Sequence, residues 1–240
     1  MRGARPWLLA LLLGLVGCSS TGQPEMTFPA LAVPAGTKEF SVDDVTVTLE
    51  EATLAIGPVY FCASASGSAT LCETALGEIR AVTRVDGLLA EAQAIGAFRG
   101  FTGDIRSASY DYGIHWYLTE KQPAPAPEAP AGHSAHIEGT ATRGAASVRF
   151  VADVDVVAPF QGQRAVPTTK AEGTVDEDTE QVEVRFDVAS WLSGVDWHAA
   201  LDAGEDPHAI APGSRDHDAI VIDMVSVRPP TFVFVAAGAR

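Results

Sequence analysis

A chain of 240 residues, 47% hydrophobic and 20% charged, carries enough apolar content to bury one large core or two small ones, which excludes a disordered or collagen-like polymer. Lys and Arg number 16 against 31 Asp and Glu, a formal charge of −15, so nucleic acid is not an expected partner and adhesion to an anionic lipid surface is opposed. That balance suits cations, basic partners or plain solubility.

The first element is an address. Arg2 and Arg5 precede an apolar run from Trp7 to Gly17, too short for a bilayer-spanning helix of about 20 residues but suited to a signal-peptide core. The run ends Leu15-Val16-Gly17-Cys18, which resembles the lipobox of bacterial lipoproteins. That resemblance implies cleavage after residue 17, lipidation of Cys18 and export. With Ser19 rather than Asp after the Cys, it implies anchoring in the outer membrane of the cell envelope, and membrane contact through lipid alone. The reading divides the chain into a signal peptide (1–17), a lipidated Cys with a flexible tether (18–39) and a single domain (40–240). The tether is read from Ser19 to Pro24 and the spaced Pro29 and Pro34.

From residue 40 onward the chain alternates with period two. Val45, Val47 and Leu49 face away from Thr46, Thr48 and Glu50, and the same pattern recurs over 148–156 and 182–188. Further runs near 52–61, 78–85, 97–103, 108–118, 134–142, 170–175 and 231–236 bring the expected strands to about ten. The predicted fold is mostly β, an antiparallel β-sandwich with one or two short helices near the C-terminal third. The helical stretch is 190–201, with Ser190 and Asp196 as candidate N-caps; 215–225, capped by Ser214, suits a helix or a strand. The Ala/Pro-rich 123–132 reads as a solvated loop.

Cys62 and Cys72 bracket a small-residue loop, and in an exported protein such a pair predicts a disulfide. Read as a strand, the aromatic segment from Tyr110 to Tyr117 puts Tyr110, Tyr112, Ile114 and Trp116 on one face. Tyr110, Tyr112 and Trp116 are therefore candidate contacts for a ligand or partner, with core packing as the other reading. Recognisable hydrolase, zinc-protease, nucleotide and thiol-redox motifs do not occur in the mature chain, which disfavours an enzyme without excluding one.

The histidines are judged by strand register. If Arg143-Gly144-Ala145-Ala146 is a turn with Arg143 opposite Ala146, His136 falls opposite Asp153 and Glu138 opposite Val151. His136, Glu138, Asp153 and Asp155 then share the outer face, close enough to converge on a divalent metal ion; the other reading is a solvated ion-pair face. The function expected is a non-catalytic binding or carrier module for a metal ion or small ligand. The alternatives are a structural or interaction lipoprotein without a small-molecule site and, third, an envelope hydrolase.

Overall fold

The computed structural model describes residues 22–65 and 75–238. The segment expected as a signal peptide, Cys18 and Cys72 lie outside these. Sixteen strands are present among the described residues. In chain order they are β1 (Glu25–Pro34), β2 (Glu39–Val42), β3 (Val45–Ile56), β4 (Val59–Cys62), β5 (Ala75–Ile79), β6 (Thr83–Asp86), β7 (Gln93–Phe101) and β8 (Gly103–Tyr110). They continue as β9 (Ile114–His115), β10 (Ala124–Pro125), β11 (Ala135–Arg143), β12 (Ala146–Val154), β13 (Val166–Val175), β14 (Thr179–Phe186), β15 (His208–Ile210) and β16 (Thr231–Ala236). Three short helices, α1 (Val188–Trp191), α2 (Trp197–Ala203) and α3 (Arg215–Ile222), fall in the last third, and a π-helical turn follows α3.

Fourteen of the strands form an eight-stranded sheet ordered β13-β8-β4-β5-β7-β1-β14-β16 and a second sheet ordered β15-β12-β11-β3-β2, with β6 also paired to β3, while β9 and β10 pair with each other. Alternation explains both. Residues 148, 150, 152 and 154 of β12 are buried while their neighbours reach solvent, and residues 135, 137, 139 and 141 of β11 do the same. The inner faces of both sheets feed one continuous core in which Phe28 stacks on Phe98 with centroids 4.5 Å apart and Phe61 meets Phe232 edge-on. The larger sheet curls until its two edge strands approach each other: a Cβ on Gly173 of β13 would lie 2.5 Å from the ring of Phe234 of β16. The architecture is thus β-rich and sandwich-like, as periodicity predicts, and curved toward a barrel.

Three expectations need correction. The tether expected over 18–39 is, from Glu25 onward, folded: β1 sits inside the large sheet, antiparallel to β7 and parallel to β14. Its buried Phe28, Ala30, Ala32 and Pro34 keep the strand period that the prolines mask. Pro29 is tolerated because pairing with β14 begins only at Ala30, so the missing N–H falls where β1 has a single partner. Secondly, the sandwich is not wholly antiparallel, since β12 also pairs with β15 in parallel. Thirdly, the expected strand over 108–118 breaks after Tyr110, where Gly113 adopts φ +73°. A Cβ there would sit 2.4 Å from that of Ala55, so Gly is required on two counts. Among the caps, Asp196 and Ser214 start α2 and α3, whereas α1 is capped by Asp187 rather than Ser190.

Candidate metal centre

The β11–β12 hairpin turns so that Arg143 pairs with Ala146, His136 with Asp153 and Glu138 with Val151, the register derived from the turn. Because inner positions on both strands are apolar, His136, Glu138 and Asp153 all project from the outer face. His136 is the centre of the group: Nδ1 lies 2.7 Å from Asp153 Oδ1 and Nε2 lies 3.1 Å from Glu138 Oε1.

The third carboxylate comes from β3, on the other side of β11. Glu51 pairs with Glu138, but one residue further Gly139 pairs with Leu49, so Glu50 is an extra residue in β3. This bulge turns both Glu50 and Glu51 outward, since the buried series 45, 47, 49 resumes at 52, 54, 56. Thr140 Oγ1 donates to Glu50 Oε1 at 2.9 Å and Thr53 Oγ1 donates to Glu51 Oε1 at 3.2 Å. Opposite the bulge a side chain is forbidden: a Cβ on Gly139 would come within 2.3 Å of the Thr48 carbonyl oxygen and 2.9 Å of the Phe150 ring. One ligand atom from each of Glu51, His136 and Glu138 lies within 4.8 Å of the others.

Burial is the largest single influence on the His136 imidazole and lowers its pKa. The hydrogen bonds and negative charges of Asp153 and Glu138 together outweigh it, so the net shift is upward from 6.5. That upward shift favours the protonated ring, whose two nitrogens both face carboxylates. If the Nε2 proton leaves, Nδ1–H stays on Asp153, which fixes the tautomer and leaves the Nε2 lone pair on the side of Glu138. That carboxylate–histidine arrangement commonly sets up a metal ligand. One nitrogen and two carboxylate oxygens suit a borderline or hard divalent ion, and the solvent-facing position leaves room for water.

Asp153 therefore orients the ring, and Asp155 does not join the group. It lies past the end of β12, where its Oδ1 is 2.8 Å from His133 Nδ1 and its backbone N–H donates to His217 Nε2 at 3.0 Å. Glu51 escapes a sequence reading that treats 45–50 and 52–61 as separate runs. The signal is present nonetheless, because a buried period that skips from 49 to 52 marks a bulge with two outward residues.

The aromatic residues expected as a contact surface divide. Tyr110 and Tyr112 are 2% and 1% exposed, inside the core, where Tyr112 donates from Oη to the Met224 carbonyl. They offer nothing to a partner. Trp116 is half-buried, and its Nε1 donates to the Glu120 carbonyl. Just past the end of β8 lies a buried ion pair, Arg164 Nη1 to Asp111 Oδ2 at 2.8 Å, with Ala165 N–H also on Asp111 and the guanidinium 4.6 Å from the centre of the Tyr60 ring. Burial pushes the Asp111 carboxyl up despite these partners, while for Arg164 the carboxylate outweighs burial and raises its pKa further. Cys62 is fully buried at the end of β4, and its expected partner Cys72 lies outside the described residues.

No protein-family model and no curated protein matches the chain. Among solved structures, MbnP from Methylosinus trichosporium is similar over 84% of this chain and 88% of its own, at 14% identity and a TM-score of 0.36.

Proposed function

We propose that the protein is a cell-envelope lipoprotein, held in the outer membrane through lipidated Cys18, whose β-rich domain binds a divalent metal ion without catalysing a reaction. The observation that carries the metal reading is the position of His136, held at Nδ1 by Asp153 and at Nε2 by Glu138 of its own strand, with Glu51 of the neighbouring β3 completing a group whose ligand atoms lie within 4.8 Å of one another. The location rests on the sequence Leu15-Val16-Gly17-Cys18. A Cys62–Cys72 bridge belongs to the same oxidising address. The strongly acidic chain supports the metal reading, since it concentrates cations near its surface.

The test is calorimetric titration of zinc into the soluble form beginning at Ser19. Wild type takes up one ion and melts at a higher temperature; Glu51→Gln and His136→Ala each abolish both effects, and Asp155→Asn changes neither. Zinc stabilisation of wild type and His136→Ala alike, or of neither, overturns the metal reading. In cells, Cys18→Ser leaves the precursor unlipidated. Release of processed wild type without detergent overturns the anchor.

A further inference from the structure

A cleft of about 470 Å³ is lined by Lys38, by residues of β3 and β6 and by the turn after β6; Glu51 belongs both to this lining and to the cluster, which sets the cleft beside an ion held by Glu51, His136 and Glu138. The volume is that of a site for a small molecule. Its wall carries Lys38 and Arg84, neither of which forms an ion pair among the described residues, although acidic groups outnumber basic ones almost two to one in the chain. Arg84 is held in place through Nε and Nη2 by the carbonyls of Glu128 and Ala129 rather than by a carboxylate. The apolar part of the lining is Ala52, Val85, Leu88 and Leu89, the last 41% exposed.

Resting on the metal reading above, we infer that the cleft takes a small chelating amino acid that shares the ion. Two carboxylates and one imidazole leave positions open on a divalent ion. An α-amino acid fills two of them with its amine nitrogen and one carboxylate oxygen, which closes a five-membered chelate ring. The second carboxylate oxygen then meets Lys38, since Arg84 is already engaged by two carbonyls, and an aliphatic side chain covers Leu88 and Leu89. The bound ion is what makes the cleft receptive. Without it Glu50, Glu51 and Asp86 outnumber the two cations on the wall; with it, the balance turns in favour of an anion.

L-leucine, a weak chelator that does not strip the metal, is titrated into the protein with and without zinc. The expected result is saturable binding to the zinc-loaded form, none to the metal-free form, and at least tenfold weaker binding to zinc-loaded Lys38→Gln with its affinity for zinc itself unchanged. Zinc uptake with no leucine binding overturns this inference and leaves the metal reading standing. Failure to take up zinc overturns both. Leucine binding equal in the metal-free protein, or unaffected by Lys38→Gln, overturns the sharing of the ion or the place assigned to the ligand.

Discussion

Two charged clusters in this molecule use the same pairing of carboxylate and cation to different ends. Around His136 the groups stand on the outer face of a regular hairpin, partly wet, with partners that can be exchanged for an ion at modest cost. At Asp111 and Arg164 they are sealed at the end of β8, with the Asp111 side chain fully buried and that of Arg164 10% exposed. Burial makes the second pair costly to break from one side and useless for exchange. The first cluster contributes little to stability and is free to bind.

That contrast is broken or sharpened first at Arg164. Replacing it with Met strands the Asp111 charge in the interior and is expected to cost about 3–5 kcal/mol in urea denaturation, because removing one partner of a buried pair leaves its desolvation uncompensated. Arg164→Met with Asp111→Leu should recover most of that loss. A mild effect of the single change would mean that Asp111 is hydrated.

Next is Gly139→Ala, in which the new methyl meets the Thr48 backbone and the Phe150 ring. Overpacking of this kind costs ~1–3 kcal/mol, and zinc uptake should weaken with it since the bulge presenting Glu51 must shift. A smaller expected effect is that of His136→Ala on the metal-free protein. A half-exposed ion-pair group contributes roughly 1 kcal/mol or less, so the variant should melt close to wild type while losing its response to zinc.

The finest test is a slope. The folded pKa of Asp111 is raised above its ordinary 3.8, so its contribution to stability is fully present below that value and is lost as pH rises through the raised one. Relative to Asp111→Asn, wild type should therefore lose stability between acid and neutral pH, measured as denaturation midpoints. The opposite slope would mean that Arg164 and Ala165 outweigh burial at this carboxyl.

The two clusters also differ in how far sequence alone reveals them. The His136–Asp153 pairing follows from apolar positions of period two and one short turn, because a register error of a single residue would expose the whole inner face. Local alternation is enough for that. The Asp111–Arg164 pair joins residues 53 apart through two irregular stretches, and neither has a period from which a partner could be inferred. Glu51 falls between these cases: it is legible only to a reading that follows the buried face across the bulge. The first strand was hidden for a different reason, since Pro29 and Pro34 argue for an extended tether whenever the alternating Phe28, Ala30, Ala32 series is overlooked.

The place of β1 has a mechanical consequence. Load applied at the N-terminus enters at Glu25 and runs along the axis of a strand bonded on one side to β7 and on the other to β14. Such a pull shears two ladders at once instead of peeling one strand from an edge, bond after bond. A domain hung by its N-terminus from a moving surface is thereby gripped through the middle of its largest sheet, where rupture requires many hydrogen bonds to fail together, and its lifetime under tension is set by the rate of that event.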